Sequence, residues 1–349
     1  MLPVLRDLAA RAEAALDPGW FDYVETGAGE EVALREAAAA WREHRLRPRV
    51  LRAAGEPSTA VELLGTALDT PVGVAATGYH RVLAADGEVA TAAGARDAGA
   101  LLVVSTRATS PLAEVAAAAG PWWLQVYLTR ERAVIEGLVA EVVELGASAL
   151  VLTGDTPLLG TRARTGRSAR DVPHAWQLAN LGRHLPAGAD PWHAVAQDPA
   201  ASLDDIGRLA EISGLPVLVK GVLRADDARA CVDAGAAGLV VSNHGGRQLD
   251  RAVATAHALP EVAQAVRGEV PVLVDGGLRS GLDALVALAL GADAVMLGRP
   301  VLWGLAADGA AGVRTVLDAV TADLREALAL LGAASVAHVA RDDVVVPRR

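Results

Sequence analysis

From residue 71 onward, short apolar runs alternate with longer segments whose apolar positions recur every three or four residues. The runs are Pro71–Ala76, Leu101–Ser105, Trp122–Leu128, Ala149–Thr153, Pro216–Lys220, Gly238–Ser242, Pro271–Asp275 and Ala294–Gly298. Each is short and continuous, as expected of a strand buried on both faces. Between them, Gly87–Ala98, Leu112–Ala119, Arg130–Leu145, Leu203–Ile212, Ala225–Ala234, Leu259–Val266 and Gly281–Leu290 read as helices, and 304–332 supplies the last helix or two. Glycine-alanine pairs such as Gly99-Ala100, Gly146-Ala147, Gly235-Ala236 and Gly291-Ala292 recur at helix-to-strand junctions, where glycine ends a helix. Strands alternating with helices imply parallel pairing. Eight such units predict an α/β fold of the closed (β/α)8 TIM-barrel type rather than an open sheet.

Residues 1–70 read as an N-terminal helical extension of this single domain, which spans 1–349. Leu5, Leu8, Ala12 and Leu16 fall at helical spacing, Asp17-Pro18 starts a second short helix ending at Thr26-Gly27, and a third runs from Glu30 towards Arg45. Pro48 and Pro57 interrupt the pattern, and 61–68 reads as a small hairpin. One connection is out of proportion. Residues 156–202, after the fourth run, are rich in Pro, Gly, Trp and Arg with weak periodicity, the composition of an active-site loop or lid.

In such a barrel, function collects just past the C-terminal ends of the strands. Those positions hold Thr77 and Gly78; Ser105 and Arg107; Gln125 and Tyr127; Thr153 and Asp155; Lys220; Ser242, Asn243, His244 and Arg247; Asp275, Gly277 and Arg279; and Gly298 and Arg299. The middles of the runs are apolar and their ends polar, an alignment that a purely structural barrel does not need. His244, in Ser242-Asn243-His244-Gly245-Gly246-Arg247, is the side-chain type that titrates near neutrality. Arg247 offers a planar fork for a carboxylate or phosphate.

Composition narrows the reading by exclusion. A net charge of −10 without a polybasic tract argues against nucleic acid. No stretch approaches a membrane span, and neither end carries a recognisable targeting signal, so a cytoplasmic enzyme is expected. The lone Cys231 excludes a disulfide framework and falls in a helical pattern, as a core residue. The histidines show no metal-ligand spacing; His44, His80, His174, His184, His193, His257 and His338 are read as structural, and no metal is expected. Gly27-Ala28-Gly29 lacks the preceding strand and third glycine of a dinucleotide fingerprint.

The last two loops, Asp275-Gly276-Gly277-Leu278-Arg279 and Gly298-Arg299, suit a phosphate through bare glycine N–H groups and two guanidiniums. Hydroxyls and amides at Thr77, Ser105, Gln125 and Thr153 suit the edge of a polar heterocycle. A phosphorylated ring compound therefore fits. The motifs SNHGGRQLD from Ser242, LVKGV from Leu218, DGGLRSG from Asp275, LGRP from Leu297, LQVY from Leu124 and LTGDTPLLGTR from Leu152, in this order and spacing, make the chain similar to the FMN-dependent 2-hydroxy acid oxidase and dehydrogenase family. Glycolate oxidase, lactate oxidase, mandelate dehydrogenase and hydroxymandelate oxidase are members, and the likeness covers nearly the whole chain.

The resemblance implies oxidation of an (S)-2-hydroxy acid to the 2-oxo acid, with FMN as cofactor and oxygen or another acceptor reoxidising it. It implies that His244 is the catalytic base, Asp155 its orienting carboxylate, and Tyr127 an active-site tyrosine. Tyr23, Arg162 and Arg247 would bind the substrate carboxylate. Ala75, Ala76, Thr77, Ser105, Gln125, Thr153, Lys220 and Ser242 would contact the flavin, and Asp275, Gly277, Arg279, Gly298 and Arg299 the ribityl chain and phosphate. It also implies a homotetramer. Oxidative decarboxylation of the lactate 2-monooxygenase kind, FMN-dependent isomerisation and an inactive flavin-binding module are the alternatives. A mandelate or hydroxymandelate type of substrate is the expectation, from the Gly78-Tyr79-His80 region and the short lid.

The chain departs from the family pattern at three places, at Ala76, at Arg107 and after Arg162. Ala76 stands where a proline is usual, and Gly78 is the form associated with poorer use of oxygen. Arg107 replaces a Trp or Phe; facing the pocket it would pair with a second acidic group on the substrate, and otherwise it turns outward or salt-bridges to the lid. Thr165 and Ser168 disturb the usual pattern after Arg162.

Overall fold

The computed structural model describes residues 1–52, 55–164 and 167–345; the departure at Thr165 and the last residues of the C-terminal tail lie outside them. Eight parallel strands close into a barrel in sequence order: β1 (Val72–Val74), β2 (Leu102–Ser105), β3 (Trp122–Val126), β4 (Leu150–Thr153), β5 (Val217–Val222), β6 (Gly238–Val241), β7 (Val272–Val274) and β8 (Ala294–Leu297). β8 returns to β1 through the pairs Val295↔Val72, Met296↔Gly73 and Leu297↔Val74. The expected (β/α)8 barrel is the observed one. Several strands are shorter than the apolar runs because the polar tips leave the ladder.

Two apolar layers result from the pleat. Leu102, Val104, Leu124, Leu150, Leu152, Leu239, Val241 and Val274 face outward and join the helices in one core. Ala75, Val103, Trp123, Val151, Leu218, Val240, Leu273 and Met296 face inward, forming a second core with Leu63 and Leu68 of the hairpin. The hairpin pairs Val61–Leu63 with Thr66–Leu68. Side chains alternate faces with a period of two. Two residues beyond each inward-facing apolar residue therefore stands another inward-facing position. That rule carries Ala75 to Thr77, Val103 to Ser105, Trp123 to Gln125, Val151 to Thr153, Leu218 to Lys220, Val240 to Ser242, Leu273 to Asp275 and Met296 to Gly298. The polar layer is the continuation of the barrel core.

The N-terminal extension forms helices at Pro3–Ala15, Pro18–Glu25 and Val32–Arg42. Asp17 accepts from the Gly19 amide (2.9 Å) and Pro18 occupies the first turn, so the second helix starts where the sequence places it. Two helices differ from expectation. One begins at Thr255, ahead of Leu259, and carries Pro260 in its interior, which a pattern reading takes for a boundary. The last helical stretch begins at Arg299 rather than 304 and is broken at Asp308–Gly309. The loop 156–202 is built from single turns, at Ala169–Asp171, His174–Gln177, Gly182–His184 and Pro191–Ala194.

Backbone bonds strap both ends of that loop down. Ala28 and Arg162 form a bridge, with Gly29 N donating to Thr161 O (3.0 Å) and Ala163 N to Gly27 O (3.1 Å). At the far end, Arg130 N donates to Ala196 O (2.8 Å), Glu131 N to Ala194 O (3.1 Å) and Asp198 N to Leu128 O (2.9 Å).

Candidate active site

The strand tips, the N-terminal extension and the loop enclose a cavity of about 1180 Å³. The three tyrosines of the chain, Tyr23, Tyr79 and Tyr127, all line it. Among the described residues nine arginines and Lys220 line it too, against one carboxylate, Asp275, in a chain whose net charge is −10. A mouth of this sign attracts anions.

At its floor Lys220 is buried. Its Nζ donates to Ser242 Oγ (2.9 Å) and lies 3.4 Å from Asp275 Oδ2, while Ser242 Oγ donates to Asp275 Oδ1 (2.6 Å). Burial alone would discharge the amine. The charges of Asp275 and Asp155 outweigh it and hold the Lys220 pKa above its usual value. Asp275, expected on the ribityl chain, is thus also the partner that keeps Lys220 charged. Alongside, Ser105 Oγ donates to Gln125 Oε1 (3.0 Å) and Gln125 Nε2 to Thr153 Oγ1 (2.9 Å), a chain of polar groups across β2, β3 and β4.

His244 follows β6 in the left-handed region (φ 56°), a conformation rare outside glycine that re-aims the imidazole. Asn243 secures the turn, its Oδ1 accepting from Gly246 N (3.3 Å). The His244 ring spans two groups: Nδ1 lies 3.1 Å from Asp155 Oδ1, and Nε2 lies 3.5 Å from the Tyr127 hydroxyl. An ionised Asp155 can only accept, which places the ring proton on Nδ1 and leaves the Nε2 lone pair free. Burial, then the nearby Lys220 charge, lower the His244 pKa, so the ring is neutral and ready to take a proton. Burial would raise Asp155, but Lys220 and the His244 hydrogen bond hold it below the usual carboxylate range. Gly221 makes this approach possible: at φ 108° a Cβ there would stand 2.6 Å from Asp155 Cβ. Burial pushes the Tyr127 hydroxyl up to about 12, so it stays protonated.

Two guanidiniums line the cavity, Arg247 from the turn after β6 and Arg162 from the loop. Arg247 Nη1 donates to the carbonyls of Tyr23 (2.9 Å) and Thr26 (2.7 Å), and the group lies 5.2 Å from the Tyr23 ring centre. Arg162, brought in by the loop, donates to the Arg247 carbonyl. Burial and the Arg247 charge press the Arg162 pKa down to about 10, an electrostatic stress that a bound carboxylate relieves. Arg279 stacks at 5.2 Å from the Trp303 ring centre, and Arg299 opens the last helix, its Nε donating to Val24 O (3.0 Å). With Gly277 and Gly298 on the same wall, this end of the cavity has the donor set for a phosphate.

Of the site residues read from the sequence, Gln125, Thr153, Asp155 and Ser242 are not among those lining the cavity and meet it through hydrogen bonds, Gln125 to Ser105, Thr153 to Gln125, Asp155 to His244 and Ser242 to Lys220; the others line it. Arg107 lines the cavity rather than turning outward, and its Nη2 donates to Val195 O of the loop (2.7 Å), a hydrogen bond and not a salt bridge. Its backbone also packs on Gly78, where a Cβ would stand 3.0 Å from Arg107 Cβ. Three residues carry more than the sequence reading gave them. His80, read as structural, is buried with Nε2 2.7 Å from Thr77 Oγ1 and Nδ1 2.9 Å from Thr91 Oγ1, and so braces a cavity-lining hydroxyl. The Thr77-to-His80 spacing of three was the available signal. Tyr79 stands among the tyrosines at φ 66°. Gln248 ties the loop's start to the site, its Nε2 donating to the carbonyls of Asp155 (3.1 Å) and Leu158 (2.9 Å).

Comparison with known proteins agrees with this arrangement. An L-lactate oxidase from Nostoc sp. is 41% identical over 326 residues, 89% of each chain. The 2-hydroxyacid oxidase 1 of Homo sapiens is 39% identical over 353 residues, 96% of this chain and 95% of its own. A crystal structure of mandelate oxidase with (S)-4-hydroxymandelic acid superposes with a TM-score of 0.89 at 38% identity, covering 97% of both chains. The model of the FMN-dependent dehydrogenase family matches residues 12–346, and the chain belongs to that family of FMN-binding oxidoreductases acting on CH–OH donors.

Proposed function

We propose that the chain oxidises an (S)-2-hydroxy acid to the 2-oxo acid with His244 as base. The observation that carries this reading is the imidazole held between Asp155 and Tyr127, with Nε2 free at the edge of an arginine-lined cavity. Arg162, Arg247 and Tyr23 would hold the carboxylate and present the hydroxyl-bearing carbon. His244 Nε2 would take one proton, Asp155 favouring the imidazolium that forms. The donor set fits FMN: Ala75, Ala76, Thr77, Ser105, Gln125, Thr153, Lys220 and Ser242 would hold the ring system, and Asp275, Gly277, Arg279, Gly298 and Arg299 the ribityl chain and phosphate. When bound, FMN supplies the two-electron acceptor that a CH–OH donor needs. Lys220 keeps a positive charge on that face.

An aryl side chain of the mandelate kind is supported by the three tyrosines and by the mandelate oxidase structures. The test is an anaerobic panel of (S)-2-hydroxy acids against the purified yellow protein. Bleaching of the flavin by at least one acid, and recovery of colour in air, is the expected outcome. No bleaching by any acid sinks the proposal in favour of an isomerase or an inactive module. Homo-oligomerisation and a cytoplasmic location belong to the same proposal, with light scattering and cell fractionation as their tests.

A further inference from the structure

The cations of the mouth divide by what they already hold. Lys220 is paired with Asp275, Arg164 with Asp22 and Glu31, and Arg167 with Asp17. The proposed function uses Arg162 and Arg247 for one carboxylate and Arg279 and Arg299 for the phosphate. Arg107, Arg130 and Arg170 remain. Arg130 and Arg170 are exposed, where water carries the charge; Arg107 is half-buried. Among the described residues it makes no ion pair, and its one side-chain hydrogen bond is to the Val195 carbonyl. A guanidinium has five N–H donors. Its charge reaches two of the cavity's tyrosines: burial raises the pKa of Tyr79 and Tyr127, and Arg107 opposes the rise at each.

A bland role for Arg107 is to latch the loop, but the loop end does not need it. Residues 194–198 are already held by three backbone bonds to 128–131, and Arg132 clamps Asp198 (2.7 Å) and Asp205 (3.2 Å). A neutral donor would serve Val195 equally well. A half-buried cation without a carboxylate costs desolvation that one carbonyl only partly repays.

We propose that Arg107 is a second-anion subsite, and that the preferred substrate is a 2-hydroxy acid whose side chain ends in a second carboxylate. This rests on the 2-hydroxy acid reading above and adds the far end of the substrate. The head carboxylate lies with Arg162 and Arg247; the distal carboxylate meets the free face of the Arg107 guanidinium, in the fork geometry that suits it.

The experiment uses the holoenzyme and two matched pairs, (S)-2-hydroxyglutarate against (S)-2-hydroxypentanoate and (S)-4-carboxymandelate against (S)-mandelate. Anaerobic flavin reduction gives kcat/KM for each. In the wild type the diacid of at least one pair should be the better substrate. In Arg107→Leu the diacid-to-monoacid ratio should fall roughly 10- to 100-fold, the loss of a charged hydrogen bond, and Arg107→Lys should recover part of it. A readout without turnover is the difference spectrum of the oxidised flavin titrated with 2-oxoglutarate against 2-oxopentanoate, where the same variant should lose its selectivity for the diacid. A monoacid preference in both wild-type pairs, or an unchanged ratio in Arg107→Leu, overturns the subsite. Failure of all four acids to bleach the wild type would instead count against the oxidation itself, so the two failures are distinct.

Discussion

The mouth of this barrel is made by two different means. Lys220, Ser242, Asp275, Gln125 and Thr153 stand where the pleat of the strands puts them, two residues above an apolar layer that cannot shift without opening the core. Arg162, Tyr23 and the Val195 segment are carried by the loop and the N-terminal extension; the loop is strapped to the extension between Ala28 and Arg162 and to the segment after β3 by Arg130 to Ala196. On the proposed reading the strand tips hold the proton and redox chemistry, where a small misplacement is costly. The strapped part carries the groups that would bind the substrate, Arg162 and Tyr23 at its carboxylate and the Val195 segment beside Arg107. Damage to the first should therefore appear in the rate of flavin reduction, and damage to the second in KM and substrate choice.

The sharpest attempt to break this division is His244→Ala. It deletes the base at a strand tip while leaving the wall of Arg279 and Arg299 intact. The protein should keep its FMN, yet flavin reduction under anaerobic stopped flow should slow by roughly 10²- to 10⁴-fold, the usual worth of a positioned base. A variant that reduces its flavin at the normal rate would remove His244 from the chemistry.

A smaller effect with a diagnostic pH signature is expected of Asp155→Asn. In the wild type the base works when neutral and its pKa lies below the ordinary value. The rate should therefore rise as pH climbs through that lowered pKa and stay flat through neutrality, while Tyr127, at about 12, imposes no loss below strongly alkaline pH. Asp155 raises the His244 pKa, so its neutralisation should move the acid limb to still lower pH. An asparagine amide can also donate to Nδ1 and place the ring proton on Nε2, the wrong tautomer for a base. The rate should drop in the kcat/KM-versus-pH profile as the limb shifts; a limb moving upward would contradict the assigned pairing.

The same division explains what was legible in the sequence. The strand tips could be read because a period of two runs from Val240 to Ser242 and from Leu218 to Lys220, while His244, in the turn beyond, was legible from the polar motif that ends the apolar run. The loop 156–202 could be located but not shaped. Its turns of three or four residues have no periodicity, and its anchors at Ala28 and Leu128 lie far away in sequence. His80 reads as structural with the six other histidines although it stands near β1, because its grip on Thr77 is a property of the turn and not of any spacing in the strand. Pro260 concealed a helix start because a single proline costs a hydrogen bond that the packed face of Ala258, Leu259 and Val262 offsets.

The mildest test falls on the strap itself. Arg132 pairs with Asp198 and Asp205 from outside the cavity and touches none of the groups assigned to chemistry. Its pairs are partly exposed and the loop end keeps its three backbone bonds, so Arg132→Ala should cost about 1 kcal/mol or less. That permits a rise in KM of no more than about five-fold, by the usual conversion of free energy to affinity. The rate at saturating substrate should be unchanged, because Lys220 and His244 are held by strands on which Arg132 has no purchase. Limited proteolysis should cut the 156–202 loop faster than in the wild type. A fall in the saturating rate of flavin reduction with KM unchanged would mean that the loop end reaches into the chemistry, and the division between strand tips and strap would be wrong.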